Sequence, residues 1–300
     1  MSGADWQAAR SRLALGTVQF GLAYGVANRY GQVPADEVGH ILAAAQAAGL
    51  DILDTAMDYG ESEVCLGKQG VTAFQVVTKL SALPDNVADV RAWVQGKVQA
   101  SLQRLQVPSV HGLLLHRPHQ LWGARGPALV AALQSLKASG LVRKIGVSIY
   151  GPEELDAVWA VCRPDLVQAP FSLIDRRLHT SGWLDRLHQA GVEVHVRSVF
   201  LQGLLLMSRT DLPEKFGLGW PQVWNAWHAW LAAHPDVSSA EACLGFVQGF
   251  PQVDRVVVGV DSLMQFEQLV AASSAKLASD WPEMDSDDVS LVNPAKWNQP

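Results

Sequence analysis

The feature that most constrains this chain is a repeated alternation, from Leu13 to about Ala275, of short apolar runs with longer amphipathic stretches. Short unbroken apolar runs suit strands buried on both faces, and the stretches between them carry apolar residues at helical spacing. Each repeat therefore reads as a strand, a loop and a helix that feed a parallel sheet. The strand-like runs are LALGT, DILDTA, FQVVTK, HGLLLH, KIGVS, DLVQAP, VEVHVRS and DRVVVGV. The first helix opens at Pro34, has Asp36 and Glu37 in its first turn, shows Val38, Ile41, Leu42 and Ala45 on one face, and stops at Gly49. Further helices are expected over ESEVCLG, Val87 to Leu105, a stretch through Leu129, Leu133 and Leu136, one opened by Gly151-Pro152, Ser181 to Ala190, the Trp-rich span from Pro221 to Gly249, and Ser262 to Ala275.

Eight such units with no second composition regime predict one α/β domain over residues 1–300, a (β/α)8 TIM barrel over about 13–275 followed by an irregular acidic tail, 276–300. The competing architecture is an open doubly wound sheet, which would announce a Gly-rich phosphate turn after its first strand. GTVQFG does not fit that turn.

Charge narrows the partners. Only 17% of residues are charged and the net charge of −6 comes from scattered acids without a basic block, which argues against nucleic acid or an anionic membrane. Cys65, Cys162 and Cys243 are far apart and show no metal-type spacing, and there is no HExxH pattern, so a metal site is not expected and the thiols read as reduced. MSGADWQAARSRL lacks the apolar core of a signal peptide, and no apolar run is long enough for a bilayer. The expectation is a cytoplasmic protein, a monomer or small homo-oligomer, acting on a small molecule.

In a barrel of this kind the reactive groups stand at the carboxyl ends of the strands. Asp54, Lys79 and His116 end the second, third and fourth apolar runs, and Tyr59 lies on the loop after the second. Taken singly, each has an ordinary reading: Asp54 as a turn cap, Tyr59 as a half-buried amphipathic residue, Lys79 as a surface lysine, His116 as a satisfied core histidine. Together on neighbouring strand ends they suit donation of a proton to an oxygen that becomes an alkoxide. A free phenol with a pKa of about 10 is a poor acid, and an adjacent ammonium favours its phenolate. His111 and His195 read as structural, and Trp220, Trp224, Trp227 and Trp230 have the helical spacing of packing residues, with Trp220 also placed to reach a substrate.

The run GLDILDTAMDYGESEVCLG, then TKL at Thr78 to Leu80, then LLLHRP at Leu113 to Pro118, resembles the aldo-keto reductases, with the same order over Leu13 to about Ala275. The resemblance implies a hydride-transferring oxidoreductase in which Tyr59 is the general acid, assisted by Asp54, Lys79 and His116. It also implies a nicotinamide cofactor lying across the barrel mouth. Ser148 and Gln168 match carboxamide-binding residues, Phe171 the aromatic that stacks on the nicotinamide, Arg197 and Ser198 the segment over the pyrophosphate, and Gly259 and Gln265 the adenosine-phosphate site. Ile149 stands where the family has Asn. NADP(H) is the family default, but Gly259, Asp261, Gln268 and Leu269 depart from the cationic phosphate site, which leaves Arg209 and Lys215 as candidate donors and makes NAD(H) a rival. Phe20, Tyr24 and Trp122 lie on loops where substrate walls are expected. The loop FGLAYGVANRYGQ resembles a bacterial branch associated with sugars. A cofactor-binding regulatory subunit and a silent metabolite-binding barrel are the alternatives from other functional classes.

Overall fold

Strand parity organises the molecule. In the computed structural model, which describes residues 12–275 and 280–297, eight parallel strands close on one another in sequence order. They are β1 (Leu13–Gly16), β2 (Ile52–Asp54), β3 (Gln75–Leu80), β4 (Val110–Leu115), β5 (Val142–Ser148), β6 (Leu166–Pro170), β7 (Glu193–Arg197) and β8 (Arg255–Gly259). Closure is made by β1 against β8, in register from Leu13 opposite Val256 to Gly16 opposite Gly259.

Successive side chains of a strand point to opposite faces. One face forms a small interior cluster of Ala14, Ile52, Val77, Leu114 and Leu166, with Val257 packed against it. The other face contributes Leu15, Leu53, Val76, Leu113, Val167 and Val256 to the large core under the helices. Two residues beyond the interior cluster, the same parity brings Asp54, Lys79, His116 and Gln168 to the carboxyl end, and Ser148 shares it two residues past Gly146. The mouth is thus a polar layer resting on an apolar plug. At the amino end, Glu193 accepts from His111 and His195 at 3.1 and 2.6 Å and pairs with Lys144. Burial opposes its charge, but these three partners hold its carboxyl below the usual range, so both histidines belong to the floor of the barrel.

The helices between strands are α1 (Ala35–Ala47), α2 (Ser62–Gln69), α3 (Val90–Leu105), α4 (Gly126–Ala138), α5 (Glu153–Val161), α6 (Arg177–Thr180), α7 (Trp183–Gln189), α8 (Glu214–Gly219), α9 (Pro221–Ala233), α10 (Ser239–Gln248) and α11 (Leu263–Ala272). The helix expected from Val87 starts at Val90, where the Asp89 side chain accepts from Ala92 N at 2.9 Å. The one expected over Ser181 to Ala190 is α7, which begins at Trp183 because Gly182, at a φ of 77°, separates it from the short α6.

The described tail has no helix or strand over 280–288, yet it packs against the barrel. It carries α12 (Val289–Val292), Leu291 and Val292 are fully buried, and the Trp297 ring packs edge-on against Phe216 at 4.7 Å. Arg176 donates to Pro282 O at 2.7 Å, so this segment is fastened to the barrel by polar contacts as well as apolar ones. Residues 1–11, 276–279 and 298–300 lie outside the described structure, including most of the N-terminal stretch read for a leader. Among the described residues no helix is long and apolar enough to cross a membrane, and no group of His, Cys, Asp or Glu is arranged to hold a metal ion.

Candidate active site

A chain of hydrogen bonds runs across the polar layer. Lys79 Nζ donates to Asp54 Oδ1 at 2.7 Å and to Thr55 O at 2.8 Å. The other Asp54 oxygen accepts from Gln168 Nε2 at 2.6 Å, and Gln168 Oε1 accepts from Ser148 Oγ at 3.3 Å. All four side chains are buried. Burial disfavours the Lys79 ammonium, but Asp54 and Tyr59 outweigh it and raise the pKa above the usual lysine value. The ammonium stands 4.9 Å from the centroid of the Tyr59 ring, and the ring of His116 meets that of Tyr59 edge-on at 6.0 Å. The sequence candidates Asp54, Tyr59, Lys79 and His116 are therefore brought to one place.

Tyr59 is not on a strand, so its position depends on how the loop after β2 is pinned. Ser62, fully buried at the start of α2, donates to Thr17 O at 2.8 Å and lies within 2.9 Å of Thr17 Oγ1 and 3.1 Å of Thr55 Oγ1. The next residue, Glu63, accepts from Thr78 and Ser101 hydroxyls at 2.7 and 2.6 Å and from Arg104 Nε and Nη2 at 2.9 and 2.6 Å. The Ser-Glu pair of the motif thus anchors the loop to β1, β3 and α3. The loop also crosses the backbone of Gly21: a Cβ there would stand 1.9 Å from Tyr59 O, and one on Gly60, at φ 53°, would stand 2.5 Å from Gly21 O. Both positions require glycine.

His116 lies beside the reactive pair with its Nδ1 3.6 Å from Asp58 Oδ2, too far for a hydrogen bond. Burial first, then the positive charges of Lys79, Arg117 and Arg197, push its pKa down to about 4 against the pull of Asp58. It is a neutral imidazole at neutral pH, able to donate a hydrogen bond without carrying charge.

Other candidates divide between mouth and core. Arg197 donates to Ile149 O at 2.8 Å and to Ser198 Oγ at 3.2 Å. Ser198, Leu201 and Gln202 have φ values of 62°, 48° and 53°, a run of non-glycine residues in the left-handed region. That run meets the loop after β1, where Gln202 Nε2 donates to Tyr24 Oη at 3.0 Å and Ala27 N donates to Gln202 O at 3.3 Å. A strap therefore crosses the mouth. At its far side Asn28 Nδ2 donates to Asp261 Oδ1 at 3.0 Å, and Gln265 accepts from Asp261 N at 2.8 Å at the start of α11. Gly259 ends β8 with the Gln19 amide against it, and Gln19 Oε1 is buried without a partner. Tyr24 and Trp122 are 42% and 45% exposed, open to a ligand.

Four expectations are corrected. Phe20 is fully buried in the large core and forms no wall of the mouth. Phe171 has the outward parity of Ala169, not the inward parity of Gln168, and is fully buried against Phe246 and Phe250 at 5.5 and 4.9 Å, so it has no face to stack on a cofactor. Trp220 turns to the tail, donating to Asp288 Oδ2 at 2.9 Å. Lys215 is bound to the carbonyl of Trp297 and is not a phosphate donor. Tyr150 was missed. It has the inward parity of Ser148 and stands at the mouth, with Arg197 and Arg117 over its ring at 4.9 and 6.0 Å.

Comparisons with known proteins agree with this architecture. The family model described as "Aldo/keto reductase family" matches residues 12–286. An uncharacterised oxidoreductase of Bacillus subtilis is 24% identical over 62% of this chain, and the match spans 62% of that protein's own length. D-threo-aldose 1-dehydrogenase of a Pseudomonas species is 26% identical over 95% of this chain and 97% of its own. Among solved structures, glycerol dehydrogenase from Gluconobacter oxydans superposes with a TM-score of 0.70 at 23% identity, covering 90% of this chain and 88% of that one, a likeness of fold. The match of the family model over most of its length shows that this chain belongs to the aldo/keto reductase family.

Proposed function

We propose that the chain moves a hydride between a nicotinamide cofactor and the carbonyl carbon of an aldehyde, ketone or sugar, with Tyr59 as proton donor in reduction and proton acceptor in oxidation. The observation that supports this most directly is the buried Lys79 ammonium, held by Asp54 at 2.7 Å and facing the Tyr59 ring at 4.9 Å. A cation there stabilises the negative charge that develops on the phenolic oxygen as its proton leaves. Asp54 keeps Lys79 charged and aimed. Neutral His116 hydrogen-bonds the carbonyl oxygen and adds a dipole where negative charge develops.

The cofactor, when bound, supplies or accepts the hydride. Groups at the carboxyl end of the barrel suit such a nucleotide: buried Ser148 and Gln168 as carboxamide partners, half-buried Ser198 near the pyrophosphate, exposed Gly259 and half-buried Gln265 toward the adenosine, with the orphaned Gln19 Oε1 a further acceptor. NADP(H) is the family default. Asp261 and the engagement of Lys215 elsewhere favour NAD(H), because a carboxylate accepts from a ribose 2′-hydroxyl and repels a 2′-phosphate. The aldose named for the Pseudomonas relative supports a sugar carbonyl. We place the protein in the cytoplasm as one barrel domain, a monomer or small homo-oligomer with neither nucleic acid nor membrane as partner.

Titration of the purified chain with NADPH and with NADH, read by quenching of its tryptophans, tests the cofactor assignment. Micromolar binding of one or both is expected; binding of neither removes the oxidoreductase reading.

A further inference from the structure

On the positive side of the mouth two arginines stand without an ion-pair partner among the described residues, although Glu154 is near enough to Arg197 to feel its charge. Tyr150 stands between two guanidinium groups, Arg197 from the end of β7 and Arg117 immediately after His116. Arg197 spends its visible hydrogen bonds on a carbonyl and a hydroxyl, Ile149 O and Ser198 Oγ. Among the described residues neither arginine has a carboxylate within ion-pair distance, whereas Arg104, Arg125 and Arg177 each do.

The acids nearby are engaged otherwise. Glu154 Oε1 accepts from Tyr150 N at 2.6 Å and Gly151 N at 3.2 Å, which fixes the loop that carries Tyr150. Asp58 takes the Ser81 hydroxyl at 2.5 Å on the β2–β3 side of His116. Asp54 is consumed by Lys79 and Gln168. Two like charges on one aromatic ring repel each other, and a neutral carbonyl compound would leave that repulsion in place. A carboxylate or phosphate would relieve it and match the donor fork of arginine.

We propose that Arg117 and Arg197, spaced by Tyr150, form an anion seat beside Tyr59 and His116, and that the carbonyl substrate carries a carboxylate or phosphate a few atoms from its reacting carbon. The inference rests on the carbonyl-oxidoreductase reading above and narrows its substrate class. It also takes Arg197 away from the cofactor pyrophosphate, since its guanidinium faces Tyr150 and Ile149.

The test compares kcat/KM of the full chain, with saturating cofactor, for two matched pairs: pentanal against 5-oxopentanoate, and glyceraldehyde against glyceraldehyde 3-phosphate. At least a tenfold preference for the charged member of one pair is expected, and the pair that shows it tells carboxylate from phosphate. Arg117→Gln, at an exposed position, should lower that charged-to-neutral ratio at least tenfold, chiefly through KM, and Arg197→Gln should do the same. Equal or better use of both neutral members overturns the proposal. So does an Arg197→Gln variant whose Kd for the cofactor rises tenfold while the ratio stays put, because Arg197 would then serve the pyrophosphate. Turnover of the neutral members keeps the oxidoreductase reading intact in either case. No turnover of any of the four with NADH or NADPH overturns both.

Discussion

Lys79 Nζ and Asp54 Oδ1 meet at 2.7 Å with their side chains only 1% and 5% exposed, inside a layer that also holds Gln168 and Ser148. Such a pair is committed: removal of one member leaves the other as a buried, uncompensated charge. Breaking a buried pair in this way costs about 3–5 kcal/mol. We therefore expect Lys79→Met to lower the urea midpoint as well as the rate of reduction, and the double variant Lys79→Met, Asp54→Leu to recover part of the midpoint but none of the rate. A Lys79→Met protein of unchanged stability would show that the charges are not buried as described.

His116 gives a pH signature with a defined sign. Its pKa in the folded protein lies at about 4, below the ordinary histidine value of 6.5. Between those values the unfolded chain binds a proton that the folded chain does not, so stability present above pH 6.5 is lost as pH falls toward about 4. His116→Gln should flatten this part of the stability-versus-pH curve measured by chemical unfolding. The pH profile of kcat/KM on a neutral aldehyde should likewise show no inflection near 6.5 from this residue; one that vanishes in His116→Gln would contradict the neutral imidazole.

The loop that holds Tyr59 is sensitive at positions that touch no substrate. Gly21→Ala places a methyl 1.9 Å from Tyr59 O, so backbone must shift. A fall in kcat of at least tenfold is expected, with a loss of stability of about 1–3 kcal/mol from overpacking. Glu63→Ala leaves the hydroxyls of Thr78 and Ser101 and the Arg104 guanidinium without their shared acceptor. About 3 kcal/mol of stability should be lost, visible in thermal unfolding. If kcat is unaffected in both variants, the loop is not what positions Tyr59.

Much of this architecture is legible in the sequence because parallel strands buried on both faces leave unbroken apolar runs, and because a period of two from Ile52, Val77 and Leu114 leads directly to Asp54, Lys79 and His116. The same rule, applied strictly, would have excluded Phe171 and found Tyr150: one has the parity of Ala169 and the other that of Ser148. Phe20, in a short helical turn after β1, offers no such periodicity, so its burial is set by tertiary packing. The packing of the tail was not legible because its apolar residues Met284, Leu291, Val292 and Trp297 are spread among acids and prolines, and their burial needs partners such as Phe216 that lie far away in sequence. The strap between Gln202 and Tyr24 and the engagement of Lys215 by Trp297 O join distant segments without a shared pattern, and are visible only in three dimensions.

The most direct measurement on the proposed chemistry is the single-turnover rate of hydride transfer in Tyr59→Phe, followed alongside its Kd for the cofactor. Loss of the phenolic proton with the ring retained should slow transfer at least about a hundredfold, as expected for a missing general acid, while leaving cofactor affinity nearly unchanged. Transfer at close to the wild-type rate would contradict the role of Tyr59 as the acid.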